Sequence, residues 1–142
     1  MTHKILKKFY EYCEENKFRL TAPRAEVLKI IIASKKPLGA YEILDKLKKV
    51  FKNPKPPTVY RSIEFLQDKN FIHRIESLNA YVACHIDHLH KDSQFMICDD
   101  CGIVIETHQC EIPKFLKDSA EKNTFTPSRC NFEIHGICAK CV

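Results

Sequence analysis

Glycine is scarce in this chain, three among 142 residues, alongside seven prolines, which leaves no room for a long flexible tail. No run of about 18 apolar residues occurs, so a transmembrane helix is not expected. The opening stretch MTHKILKKFYEYCEE alternates apolar and charged residues without the continuous core of a signal peptide, so export is not expected and a cytoplasmic location is. There is no His-Glu-x-x-His unit, and no Ser-His-Asp arrangement can be inferred, so hydrolysis has no evident carrier and the chain reads as a non-enzyme. General disorder is argued against by a 44% hydrophobic composition. The length suits one ordinary domain or two small ones.

What is present is unevenly placed. Residues 1–82 carry 17 Lys/Arg against 9 Asp/Glu, a net of +8, whereas residues 83–142 carry 6 against 9, a net of −3. The first half can face a polyanion; the second serves another purpose. Nearly all cysteine and histidine falls in that second half. Eight cysteines could make four disulfides, but two Cys-x-x-Cys units without an export signal favour thiolate ligands in a reducing compartment.

The basic half reads as four helices and a hairpin. An amphipathic segment spans about Ile5–Asn16. A second helix opens at Thr21 as N-cap, tolerates Pro23 in its first turn, and turns Leu28, Ile31 and Ile32 inward. A third, about Ala40–Phe51, carries Ile43, Leu44, Leu47 and Phe51, and the prolines of NPKPP interrupt it. A fourth starts near Thr58, with Val59, Ile63 and Leu66 on a buried arc and Tyr60, Arg61 and Glu64 opposite. Two strand-like runs follow, Phe71–Glu76 and Ala80–His85. A two-residue Leu78-Asn79 turn would place His73 directly opposite Cys84, two ligand types side by side. Helices followed by such a hairpin suggest a winged helix-turn-helix whose fourth helix enters a major groove.

The acidic half is organised by metal-type spacing. Cys98-x-x-Cys101 and Cys138-x-x-Cys141 are separated by residues 102–137 and supply four thiolates, the donor set of a closed tetrahedral structural zinc site. Gly102 and Gly136 are expected to permit tight turns beside them. In a module this small the site should contribute folding energy. A less regular group comprises His73, Cys84, His85, Asp87, His88, His90, Glu106, His108, Cys110, Cys130 and His135. Spacing alone does not pick one tetrahedron from it, although the density at 84–90 points to metal; His108 and His135 read better as structural polar residues. Strands are expected at Gln94–Ile97, Ile103–Thr107 and Asn131–Ile134, with a helix at Ile112–Lys122 and Pro113 in its first turn. Ile112, Phe115 and Leu116 make a modest core, a deficit that a second copy of the chain would relieve.

Five segments, RLTAPRAEVL, PPTVYRSIEFL, FIHRIESLNAYVACH, FMICDDCG and HGICAKC, together resemble the ferric uptake regulator superfamily, within it the zinc-uptake branch, and the resemblance runs over essentially the whole chain. The resemblance implies an α+β protein: a winged helix-turn-helix DNA-binding domain over 1–83, a hinge over 84–92 contributing metal ligands, and a small zinc-containing α/β dimerisation domain over 93–142. It implies a homodimer on double-stranded operator DNA, with no membrane partner and no small organic ligand. By matched position Cys98, Cys101, Cys138 and Cys141 resemble the structural zinc site. His73, Cys84, His90 and Glu106 resemble the regulatory one, with His88 the alternative to His90, so about two Zn2+ are expected per subunit and a third is possible. Tyr60, Arg61, Thr58 and Arg19 resemble the DNA contacts.

The chain also departs from the iron-type members, whose histidine run before the first Cys-x-x-Cys is fuller than CHIDHLHKDSQFMIC. Cys130 stands near a position where many relatives have a histidine ligand, and is expected to be a soft ligand, which disfavours iron or manganese, or a buried apolar residue. The implied function is zinc-responsive repression of zinc-uptake genes. Its alternatives are a sister regulator sensing iron, manganese, nickel or peroxide, and a non-sensing zinc-stabilised nucleic-acid-binding module.

Overall fold

The computed structural model describes residues 2–85, 92–107 and 111–142. The chain divides into two units, Met1–His85 and Ile86–Val142. In the first, α1 (Thr2–Glu15), α2 (Ala22–Ala33), α3 (Ala40–Leu47) and α4 (Pro56–Asp68) precede the strands β1 (Ile72–Ile75) and β2 (Ala80–Ala83). Phe9, Leu28, Ile43, Leu47, Leu66 and Phe71 are fully or nearly fully buried, and α2 packs on α1, α3 and α4. Apolar spacing explains why these helices assemble; their ends follow from capping. Thr21 Oγ1 accepts from Arg24 N–H at 3.3 Å and starts α2.

Two helix boundaries differ from expectation. The helix α3 stops at Leu47 rather than Phe51. Residues 48–51 continue as turns, with Val50 N–H and Phe51 N–H both donating to Leu47 O at 3.0 Å, ahead of the prolines at 54, 56 and 57. In α4, Pro56 and Pro57 open the helix rather than precede it. A first turn has no use for their missing N–H groups. Val59, Ile63 and Leu66 are buried and Tyr60, Arg61 and Glu64 exposed.

The hairpin forms in a different register from the expected one. A 3-10 turn, Glu76–Leu78, closed by Asn79 in left-handed geometry (φ 46°), occupies four residues between the strands. Ile75 therefore faces Ala80, and His73 faces Val82 rather than Cys84. A bridge between Leu38 and Tyr81 joins the α2–α3 connection to this wing. The unit is a winged helix-turn-helix.

The second unit contains β3 (Ser93–Cys98), β4 (Val104–Glu106), α5 (Lys114–Lys122) and β5 (Asn131–Gly136). The sheet order is β4-β3-β5, antiparallel on one side of β3 and parallel on the other. The turn expected from Gly102 is present, at φ 72°; that expected from Gly136 is not, since Gly136 ends β5 in the ladder opposite Cys98. Pro113 caps α5 in extended geometry, φ −54° and ψ 143°, so the helix begins at Lys114 instead of Ile112. None of the α5 residues is buried. Met96 stands opposite both Ile105 and Ile134, forming an apolar row across the sheet, and all three are exposed.

Candidate metal centres and nucleic-acid interface

Parallel pairing of β3 with β5 brings the two Cys-x-x-Cys units together. The strands end side by side at Cys98 and Gly136, and Asp99 N–H donates to Gly136 O at 2.8 Å. The sulfurs of Cys98, Cys101, Cys138 and Cys141 all lie within 4.8 Å of one another. Cys101 and Cys138 approach to 3.7 Å, and Cys138 and Cys141 to 3.6 Å. A tetrahedron with metal–sulfur bonds of about 2.3 Å has edges of about 3.8 Å, so the cluster fits a tetrahedral thiolate-bound ion.

The electrostatics suit the same purpose. Backbone N–H groups of Cys101 and Cys138 point at Cys98 Sγ, the latter at 3.4 Å, and these donors hold the Cys98 thiol down to about 6. Hydrogen bonding to Cys138, then to Cys101, pushes the Cys141 thiol up. Four adjacent thiolates require a cation between them. Beside the cluster, His135 Nδ1 is 3.1 Å from Asp99 Oδ1 and its Nε2 is 3.3 Å from Glu133 Oε2. His135 is thus a structural polar residue, as its isolation in the sequence suggests. Its two carboxylate partners were not foreseen, although alternation along Glu133-Ile134-His135 already places two of the three on one strand face.

On the wing, the changed register does not separate His73 from Cys84. Cys84 lies two residues beyond Val82, the direct partner of His73, so the two meet diagonally on one face of the hairpin. Their ligand atoms lie within 4.8 Å, and both residues are buried. Glu106 ends β4 in the second unit. His90 and its alternative His88, with Asp87, His108 and Cys110, lie outside the described residues; His85 is exposed. Cys130 is half-buried, and its N–H donates to Asp92 Oδ1 at 2.7 Å, a link across 38 positions that no local pattern signals. It lines an apolar depression with Leu116 and Phe125 and, among the described residues, joins no ligand cluster. None of the seven described cysteines is in a disulfide.

The proposed DNA contacts belong to the first unit. Tyr60 and Arg61 are exposed on α4, Thr58 is half-buried in its first turn, and Arg19 is exposed before α2. Among the described residues no helix is long and apolar enough to cross a membrane.

The model of the ferric uptake regulator family matches residues 15–135. The chain belongs to the ferric uptake regulator family. It is 37% identical over 142 residues to the zinc uptake regulation protein of Escherichia coli strain K12, covering 99% of this chain and 83% of that protein. Among solved structures it resembles a zinc uptake regulator complexed with zinc and DNA (TM-score 0.87, 36% identity, 99% of this chain and 95% of that one). It also resembles the crystal structure of holo XcZur (TM-score 0.85, 38% identity, 96% and 95%). As a ferric uptake regulator family protein similar to zinc-uptake members, the chain is a metal-sensing transcription regulator and not an enzyme. It carries candidate metal-binding residues in both units.

Proposed function

We propose that this chain is a zinc-responsive repressor that binds operator DNA as a zinc-loaded homodimer and shuts off zinc-uptake genes in the cytoplasm. The observation that carries the reading is the buried His73–Cys84 pair on the wing. An imidazole beside a thiol is a borderline-soft donor set that suits zinc over iron or manganese. Two relatives described as zinc regulators support it.

The residues then divide between two roles. Cys98, Cys101, Cys138 and Cys141 would hold a structural zinc that maintains the second unit. His73 and Cys84, with His90 (or His88) and Glu106, would hold the regulatory one, giving about two ions per chain. The domains would run 1–83, 84–92 as a ligand-bearing hinge, and 93–142. Zinc, when bound, supplies ligand bonds that are stronger in the DNA-competent state than in its alternative. Arg61 donates to guanine or phosphate, Tyr60 packs and hydrogen-bonds against the groove, and Thr58 and Arg19 contact the backbone. The +8 half adds salt-dependent affinity. The exposed row Met96, Ile105, Ile134, together with an α5 that buries nothing, supports a second copy of the chain as partner.

The test is DNA binding by the purified dimer in buffered zinc, iron, manganese and nickel, with metal counted per chain. The duplex would be one the zinc-loaded protein selects from a randomised pool. Tightening with zinc alone at two ions per chain is the expected result. Tightening with another metal would establish a sister regulator, and one zinc per chain with no response would establish a non-sensing module.

A further inference from the structure

Arg19 sits on an exposed bend that has little structure of its own, and the contacts around it account for its placement. The chain leaves α1 through Lys17 in left-handed geometry, φ 56°, and Phe18 N–H closes the helix end on Cys13 O at 2.9 Å. Phe18 is then anchored: its ring stacks on Tyr12 at 5.9 Å and meets Phe65 edge-on at 5.5 Å. On the far side Thr21 is held as the cap of α2. Between these anchors Arg19 and Leu20 are both exposed. Here Arg24 Nη1 donates to Arg19 O at 2.8 Å, while its guanidinium carbon lies 3.9 Å from the centroid of Phe65.

Phe65 lies on α4 four residues after Arg61, a spacing that puts both on one side of the helix. A single half-buried side chain thus grips the backbone of the Arg19 bend and rests on the helix that bears Arg61. Arginine suits this position because a planar guanidinium can stack on a ring and donate in its own plane together.

We propose that Arg24 is a positioning residue for DNA recognition: it fixes the Arg19 backbone against α4, so that the Arg19 side chain is presented to the duplex in concert with Arg61. This rests on the reading of Arg19 and Arg61 as DNA contacts. Holding the bend in place before binding removes an ordering cost that an unanchored two-residue segment would bear at the moment of association.

The experiment is a double-mutant cycle on the zinc-loaded full chain. Its probe is a duplex selected by the wild-type protein from a randomised pool, and affinity and thermal midpoint are read together. Arg24→Met removes both the donor and the ring contact and should weaken binding about tenfold; in an Arg19→Ala background the same change should add less than about twofold, since the backbone bond then positions nothing. Arg24→Lys, which keeps a cation near Phe65 and a donor, should recover part of the loss. The fall in thermal midpoint should be the same with or without the Arg19 side chain, which separates positioning from stability. Should Arg24→Met not fold, Arg24→Gln carries the same cycle.

Undiminished loss in the Arg19→Ala background would overturn the proposal, since Arg24 would then act directly on a phosphate or through α4. So would wild-type binding by Arg24→Met. If Arg19→Ala binds normally while Arg61→Ala is weakened, this inference fails and the α4 reading survives; if both bind normally, the reading of the DNA contacts fails with it.

Discussion

The two units handle apolar surface in opposite ways. The first hides it: Phe9, Phe71, Leu28, Ile43 and Leu66 are buried among four helices, and an edge-to-face aromatic contact joins Phe9 to Phe71 at 5.2 Å. The second displays it, with Phe115 and Phe125 both 67% exposed and Ile134 61% exposed. Phe95 and Ile97 are buried there, but α5 buries no residue and the sheet carries an open apolar row, which is little core even for a small unit. The difference teaches where stability must come from. The first unit has a large internal core, whereas the second has a small one that an ion held by its thiolate cluster would reinforce.

Removal of one thiolate tests that contrast most severely. Structural zinc in small modules contributes about 10–16 kcal/mol of apparent binding free energy, more than such a unit has in reserve. Cys98→Ser should therefore release the bound ion, unfold residues 93–142 and abolish dimerisation, while the first unit keeps its helices. Zinc content, sedimentation and hydrogen exchange on α2 and α4 together read the outcome. A stable dimer with a full zinc complement would overturn the assignment of Cys98. Next in size is Ile134→Glu. A carboxylate placed in the Met96–Ile105–Ile134 row costs several kcal/mol when buried at an interface, so dimer dissociation should strengthen by about a hundredfold or more. The monomer should stay folded and zinc-loaded, because Ile134 is exposed within its own chain. An unchanged dissociation constant would show that this face is not the one covered.

The wing provides a contrast of another kind, since its candidate metal donors, His73 and Cys84, sit in the unit with the larger internal core. Cys84→Ser should leave a folded dimer with its structural zinc. What it should lose is the metal-dependent tightening on DNA, taken as about a hundredfold, or about 2.7 kcal/mol per site. Measuring affinity at low and high buffered zinc reads the difference directly; retention of the wild-type response would remove Cys84 from the regulatory role.

The His73–Cys84 proximity also shows what was legible in the sequence and why. Residue types and alternation were enough to place the two on one face of a hairpin. The register was not legible, because the expected two-residue Leu78-Asn79 turn is in fact a 3-10 turn closed by Asn79, and that choice depends on turn geometry rather than on side-chain pattern. The diagonal contact survives the shift since parity is preserved. Helix faces were equally readable: Val59, Ile63 and Leu66 are inside as their spacing implies. Helix ends were readable only in part: Thr21 caps α2 as expected, whereas Pro56 could equally precede a helix or start one. In the second unit the Cys-x-x-Cys frame announced its own chemistry, whereas the Asp92–Cys130 bond joins residues far apart and appears only once the chain is folded.

The smallest expected effect lies beside the thiolate cluster and shows how little of the second unit's stability comes from its surface polar contacts. Asp99 and then Glu133, through hydrogen bonds, raise the His135 pKa above its ordinary value of 6.5. A group raised on folding stabilises fully below its unfolded pKa and loses that contribution as pH rises through the folded value. Because His135 is exposed, screening by solvent keeps the gain small. Zinc-loaded wild type should therefore be slightly more resistant to denaturant than His135→Gln at pH 6, and the gap should close by pH 9. Comparing the two proteins at each pH cancels the titration of the cysteines, which both contain. A gap that widened with pH would mean that neutral His135 is the stabilising form, reversing the roles given to Asp99 and Glu133. A gap as large as that caused by Cys98→Ser would contradict the broader contrast, since the second unit would then rest on its surface latch and not on its metal.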